Sequence, residues 1–422
     1  MAKLDDVLGA AGPGAENRTW ALRRRRRGKL GMSIGRFATA ALICAGAALM
    51  MSGAADAKAS RASRASKASA PPALDAQAVN AAELSAPSGK AGKGRAPAPS
   101  AAAIIKAEIL LDRAGFSPGQ IDGKSGTNDQ KAITAFQEGN GIKPSGSLDP
   151  QTWERLTATS SDPMLVEYEI QPGDVKGPFN KTIPPSLEKK AELKTLNYTS
   201  PRELLAEKFH IDPDLLTRLN PKASFETADT KIMVPNVAKK PSEAKVAKVV
   251  VDKSQRTVRA LDGGGKLISF YPASVGSEER PAPSGTLSIR SVVENPTYHY
   301  TPKLKFKGVK TQKPFTVAAG PKNPVGSMWI DLGDGYGIHG TPDPSKISKT
   351  ESHGCVRLTN WDAQALGKMV HKGIKVDFIN RSRERTKRGF GAPGQCAAAS
   401  RRRSRRRSES ETSGGLSPKR AR

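Results

Sequence analysis

The spacing of apolar residues divides this chain into segments of different period. Residues 37–51, "FATAALICAGAALMM", are apolar without period. From residue 101 a helical period begins. Ile105, Ile109 and Ala114 fall on one face of "AAAIIKAEILLDRAGF", with Leu110 and Leu111 widening it. "SPGQIDGKSG" is a Pro/Gly turn. "TNDQKAITAFQEGNGI" predicts a second helix, with Ala132, Ile133 and Phe136 inward and Thr127 or Asn128 as its cap. "SGSLDPQTWERL" predicts a third, with Asp149 as cap, Pro150 in the first turn and Trp153 and Leu156 buried. Residues 101–158 therefore read as a small three-helix bundle.

Residues 165–237 read as strand, two helices, strand. "VEYEIQPGD" opens the unit, "SPRELLAEKFHIDPDLLTRLNP" supplies the helices and "DTKIMVPNV" closes it, with a long insertion after the first strand. His210 reads as a surface residue at a helix end. From Ala247 the period shortens to two. "AKVVVDKSQRTVRAL" and "KLISFYPASVG" are strands about a "DGGG" turn, followed by "SGTLSIRSVVENP", "KPFTVAAG", "MWIDLG" and "YGIHG". One helix, "NWDAQALGKMVHKG", follows, with Asn360 as cap and Gly373 at its end; "IKVDFI" is the last strand. The fold class is therefore multidomain: a mostly-β domain over 246–380, preceded by the bundle and an α+β module.

Composition alters this picture at the ends. Residues 58–100 are Ala/Ser/Pro/Lys-rich with few large apolar side chains, and are expected to be a disordered spacer. "KKPSEAK" (239–245) is a second linker. The net charge of +28 is concentrated outside the folded middle. Residues 1–100 carry 16 basic against 6 acidic side chains, residues 381–422 carry 14 against 3, and residues 101–380 are close to balance. No nucleic-acid partner is expected. The tail 381–422 is read as disordered, with Arg clusters suited to anionic envelope surfaces. The 15-residue apolar run is short for a membrane span. A basic flank before it and Ala-x-Ala ending at Ala57 make residues 1–57 a secretory signal, cleaved or retained as an anchor, with Met32 as an alternative start. The expected location is the periplasm or cell envelope.

The three cysteines, Cys44, Cys355 and Cys396, provide no C-x-x-C pair. Cys355 lies in "TESHGCVRLTN", and a second His-Gly pair, His339-Gly340, lies 16 residues upstream. A cysteine nucleophile needs a base and donors for the developing oxyanion. His339 and His353 are the candidate bases. Gly354 leaves its own amide and that of Cys355 open to an oxyanion, and Arg357 is suited to a substrate carboxylate. The alternatives are a buried structural thiol and a zinc site of His339, His353 and Cys355, for which no fourth ligand is obvious.

Three stretches resemble known families. "L…AGF.PG.IDG..G….AI.AFQ…GI..SG.LD..TW..L" resembles the peptidoglycan-binding three-helix domain. The strand–helix–helix–strand unit resembles a LysM module, whose family binds N-acetylglucosamine polymers. "IHGT" followed by "SHGCVRL" is similar to the signature of the L,D-transpeptidases, with "PAPSGTLSI", "NPTYHY" and "AGPKNPVGSMWIDL" in support; Ser348 stands where glycine is common. The resemblance implies a peptidoglycan cross-linking enzyme with Cys355 as nucleophile and His339 as general base, its ring oriented by the Gly340 carbonyl. It implies that His353 and Ser352 shape the loop, that the Gly354 and Cys355 amides form the oxyanion hole, and that Arg357, with Ser352, lines the stem-peptide site. No metal and no cofactor are expected. Peptidoglycan peptides and glycan strands are the expected partners of a monomer.

Overall fold

The computed structural model describes residues 74–84, 98–238, 244–302, 309–352 and 354–380. The signal or anchor over 1–57, the tail over 381–422 with Cys396, and His353 lie outside the described residues. Among those described, no helix is long and apolar enough to cross a membrane.

Part of the expected spacer is built into the fold. Helix α1 (Ala76–Asn80) is capped by Asp75, whose carboxylate accepts from the Ala78 amide at 2.7 Å. Val79 is fully buried in the core of the following domains. The Asn80 side chain accepts from the amides of Met164 and Leu165, and Trp153 Nε1 donates to Glu83 at 2.8 Å. The low hydrophobicity of 58–100 is an average that hides an anchor of Leu74, Val79, Ala82 and Leu84.

The bundle forms as its pattern requires: α2 (Ala101–Arg113), α3 (Thr127–Gly139) and α4 (Pro150–Thr157). Asp149 caps α4, accepting from the Thr152 amide at 2.8 Å, and Pro150 fills the first turn. The cap of α3 is Gly126 rather than Thr127 or Asn128. Asp129, three residues on, accepts from the Gly126 amide, so that donor at the helix end is satisfied from inside the helix.

In the second module β1 (Leu165–Glu169) pairs antiparallel with β2 (Lys231–Pro235). Between them lie α5 (Pro172–Lys176) and α6 (Leu187–Ala191) in the insertion, then α7 (Pro201–Lys208) and α8 (Pro213–Leu219).

The β-rich domain holds two main sheets. The first has the order β5 (Leu267–Pro272), β4 (Thr257–Leu261), β3 (Lys248–Asp252), β13 (Lys375–Ile379), β6 (Gly285–Ser288), parallel only between β3 and β13. "AKVVVDKSQRTVRAL" is thus a hairpin, not one strand: Asp252 Oδ1 accepts from the Ser254 and Gln255 amides and turns the chain. The second sheet runs β12 (Val356–Arg357), β11 (Tyr336–His339), β10 (Met328–Gly333), β7 (Ser291–Glu294). Val249, Val251, Val258 and Ala260 meet Ile330, Ile338 and Val356 in one core. Strands β8 (Tyr298–Tyr300) and β9 (Phe315–Val317) form a separate ribbon. Helix α9 (Asn360–Met369) starts one residue earlier than expected, with Thr359 as cap and Asn360 inside, and it ends before Gly373.

The three units are joined by backbone pairing. The loop after α2 bridges to β5, where Ser117 N donates to Phe270 O and Phe270 N to Gly115 O. The same loop bridges to the module, where Ile121 N donates to His210 O and Asp212 N to Ile121 O. Phe270 and Leu267 of the β-rich domain belong to the same core as the bundle. His210 is consequently not a surface residue. It adopts φ +56, bonds Asp112 at 3.0 Å through Nδ1 and stacks on Trp361 at 5.0 Å, so each of three units contributes one side chain.

Candidate active site

Two chain segments, one on each side, zip the Cys355 loop in place. Strand β12 pairs parallel with β11, with Ile338 opposite Val356 and His339 opposite Arg357. On its other side Ser274 exchanges backbone bonds with Arg357, and Ser352 donates to Val275 O while accepting from Ser277 N. Leu358 N donates to His339 O at 2.8 Å. Cys355 therefore enters one residue before a paired strand. By strand alternation it shares a side of the sheet with Arg357 and His339.

His339 is 4% exposed and its ring is held on several sides. Nδ1 lies 2.6 Å from the Gly340 carbonyl, to which an Nδ1–H donates, leaving Nε2 as the basic atom. The ring stacks on Trp329 at 5.5 Å. Burial, then the charge of Arg357, pull its pKa down to about 3, while the carbonyls of Gly340 and Val325 oppose that shift. The resting imidazole is neutral. Cys355, a half-buried free thiol, directs Sγ at the Gly335 carbonyl at 3.6 Å. Burial pushes its pKa up, against the Gly337 amide and the Arg357 guanidinium. The resting thiol and the resting imidazole are thus both neutral, each held so by burial.

Arg357 donates from Nη1 to the Glu351 carbonyl at 3.2 Å. Among the described residues no carboxylate forms an ion pair with it, so its charge is open to an anionic ligand. Ser352 is buried and its hydroxyl donates to the Cys355 carbonyl. That contact closes the Cys355 loop from within. Gly354 has φ +106, a conformation that favours glycine, and a Cβ there would make a tight contact of 3.3 Å with the Tyr336 ring. Ser348, at φ +64, occupies a left-handed conformation that glycine would adopt without strain. Its hydroxyl donates to Ala273 O and its amide to Ser274 Oγ, which hold it there. Among the described residues no group of three His, Cys, Asp or Glu is arranged for a metal ion; His353, needed for the zinc alternative, lies outside them.

Sequence reasoning missed two contributors, Trp329 and Asn360. Trp329, opposite His339 across the β10–β11 pairing, stacks on its ring. Tyr298 lies close enough to Cys355 for the thiolate charge, after burial, to raise its phenol pKa. Asn360 read as a helix cap. Its side chain instead turns inward, 1% exposed, where Oδ1 accepts from Ser327 N at 3.1 Å and Nδ2 donates to Pro321 O at 3.1 Å. Only the unusual polar residue at the first helical position could have signalled this.

Comparison with known proteins agrees with these features. The model of the YkuD L,D-transpeptidase catalytic domain matches residues 247–377, and that of a peptidoglycan binding domain matches residues 100–156. The Bacillus subtilis (strain 168) protein YqjB, named as an L,D-transpeptidase, is 30% identical over 134 residues, 30% of this chain and 68% of that protein. YbiS of Escherichia coli K12, named a probable L,D-transpeptidase, is 30% identical over 135 residues, 31% of this chain and 44% of that protein. This chain therefore belongs to the L,D-transpeptidase family, with a peptidoglycan binding domain ahead of the catalytic one. The match spans less than half the length of YbiS. Among solved structures, L,D-transpeptidase 3 from Mycobacterium tuberculosis is 17% identical, covering 38% of this chain and 77% of that one, with a TM-score of 0.27.

Proposed function

We propose that this chain is a cysteine-dependent peptidoglycan L,D-transpeptidase that forms 3→3 cross-links in cell-wall biogenesis. The observation that carries the proposal is the parallel β11–β12 pairing, which sets His339 beside Arg357 with Cys355 two residues before that arginine. Cys355 Sγ attacks the carbonyl of the third residue of a donor tetrapeptide as Nε2 of His339 takes the thiol proton. The Gly354 and Cys355 amides hold the oxyanion. Collapse expels the terminal D-alanine, protonated by the His339 imidazolium, and leaves a thioester. The amine of a neighbouring diamino acid opens that thioester, and the thiol recovers its proton. The Gly340 and Val325 carbonyls favour the imidazolium formed in passing, since both raise the ring's proton affinity. Arg357 binds the stem-peptide carboxylate, and His353 with Ser352 shapes the loop.

The bundle (101–158) and the LysM-like module (165–237) carry the catalytic domain (246–380) on peptidoglycan. The LysM-like assignment rests on the order of β1, α7, α8 and β2. Residues 1–57 export the chain to the periplasm or envelope, and the tail (381–422) adds affinity for anionic surfaces; the protein acts as a monomer.

Incubating the protein with a disaccharide-tetrapeptide and analysing products by mass tests this. A cross-linked dimer is expected, absent for Cys355→Ala. Trimmed monomer alone would mean that water is the acceptor and the enzyme a carboxypeptidase; no product with either protein would reduce the chain to wall binding.

A further inference from the structure

We propose that Glu207, which lies outside the catalytic domain in the LysM-like module, is a positioning residue for the active site, acting through Asn360 on the two segments that hold His339. The proposal rests on the transpeptidase reading only for the identity of the reaction it affects.

The route consists of direct contacts. Glu207 Oε1 accepts from Asn360 Nδ2 at 2.8 Å and from the Tyr198 hydroxyl at 2.9 Å. The Asn360 amide is packed against two glycines so closely that a Cβ on Gly326 or on Gly340 would lie 2.1 Å from Oδ1. Gly340 supplies the carbonyl that receives His339 Nδ1–H. Gly326 follows Val325, whose carbonyl also faces the imidazole. Asn360 is thus wedged between both backbone segments that flank the base, and Glu207 holds the free end of the wedge.

The chemistry of an amide explains why an external acceptor is needed. Nδ2 has two protons, and in this structure Glu207 and Pro321 O take them, while Ser327 N–H satisfies Oδ1. Without Glu207 one buried proton loses its partner, and a flipped amide would direct NH₂ at the Ser327 N–H. Either outcome loosens the wedge. Burial raises Glu207 to about 7, offset by bonds from Asn360 and Tyr198 and by the nearby Lys322 charge, with Glu203 acting in the raising direction. An acceptor oxygen is present in both protonation states, so hydrogen bonding rather than charge is the working property. The wall-binding half of the chain thereby completes the site of the catalytic half.

The test uses the full chain and two readouts: turnover of the tetrapeptide donor (kcat and KM), and alkylation of Cys355 by iodoacetamide across pH. Glu207→Leu is expected to lower kcat and the alkylation rate at pH 7 by about 10-fold with KM unchanged. Glu207→Gln, which keeps an acceptor, should stay within about 3-fold of the parent. Glu138→Gln removes an ion pair between the bundle and the β-rich domain, to Arg259, away from Asn360 and Glu207, and should stay within about 2-fold. Unchanged alkylation and kcat in folded Glu207→Leu would overturn the proposal, as would an equal loss in Glu138→Gln. If Glu207→Leu does not fold, Glu207→Asp, which withdraws the acceptor by one methylene, decides: parent-like alkylation overturns the proposal and slowed alkylation supports it. Should the parent fail to turn over the donor, the transpeptidase reading falls, and the alkylation series still judges Glu207 by itself.

Discussion

Replacing Gly340 by alanine isolates the contact that orients the His339 imidazole. The φ of Gly340 is not in the left-handed region, so alanine is conformationally acceptable and the effect is steric. The new Cβ would lie 2.1 Å from Asn360 Oδ1, where real Cβ atoms essentially never come within 3.0 Å, so a shift of roughly 0.9 Å is required. Asn360 cannot easily supply it, because Ser327, Pro321 and Glu207 all bond its amide. Much of the movement must then fall on Gly340 and on the carbonyl that holds His339 Nδ1. Overpacking of this kind costs about 1–3 kcal/mol, small enough for a folded protein. A displacement of about 1 Å at a catalytic group costs on the order of 100-fold in rate. The expectation is a folded variant, with thermal unfolding lowered by a few degrees, whose Cys355 acylation falls by about 100-fold. Acylation followed by intact-protein mass, beside circular dichroism, measures both. A Gly340→Ala protein acylated at the parent rate would refute the reasoning, since His339 would not depend on the Gly340–Asn360 fit.

Glu207 gives a pH signature in stability. Its folded pKa of about 7 exceeds the ordinary 4.5, so the folded state binds more protons between those values. Its stabilisation is complete below 4.5 and is lost as pH rises through 7, by about 3 kcal/mol in all. Denaturation at pH 5 and pH 8 should therefore show Glu207→Gln gaining on the parent at pH 8; an equal difference at both would contradict the burial. His339 acts oppositely: with its pKa depressed to about 3, its contribution is full above 6.5 and lost as pH falls toward 3, a slope that His339→Gln should remove from acid denaturation curves. Arg357→Ala should raise the donor KM by about 10-fold, or roughly 1.4 kcal/mol, and Arg357→Lys should recover only part of it; steady-state kinetics with unchanged KM in Arg357→Ala would remove it from the substrate site. Asp149→Ala deletes the α4 cap and should cost about 1 kcal/mol by denaturant titration while leaving Cys355 acylation intact.

Local structure was legible because its causes are local. Asp149-Pro150 caps α4 through bonds to Thr152 three residues on, and any chain with that spacing could form them. The α3 cap was misassigned by one residue because Asp129 could satisfy the end from inside the helix, a choice between near-equal local solutions. Gly354 was legible as leaving amides open beside Cys355; its φ of +106 was not.

Misreadings concentrate where partners come from other units. His210 looks like a solvated helix end until Asp112 and Trp361 arrive from the bundle and from α9. Asn360 occupies a position that locally suits a cap, and only the approach of Gly326, Gly340 and Glu207 turns it inward.

By itself the sequence determined which side chains could do chemistry, where the three bundle helices and α7 to α9 would form, and where the helix of the bundle nearest its end would begin, since period, capping and turn formation act over a few residues. Only the tertiary structure decided that β12 lies parallel to β11, that the three units share backbone bonds, and that the Cys355 thiol and His339 imidazole rest neutral. Those outcomes depend on burial and on neighbours distant along the chain, because desolvation and steric fit act through space and leave no mark in local spacing.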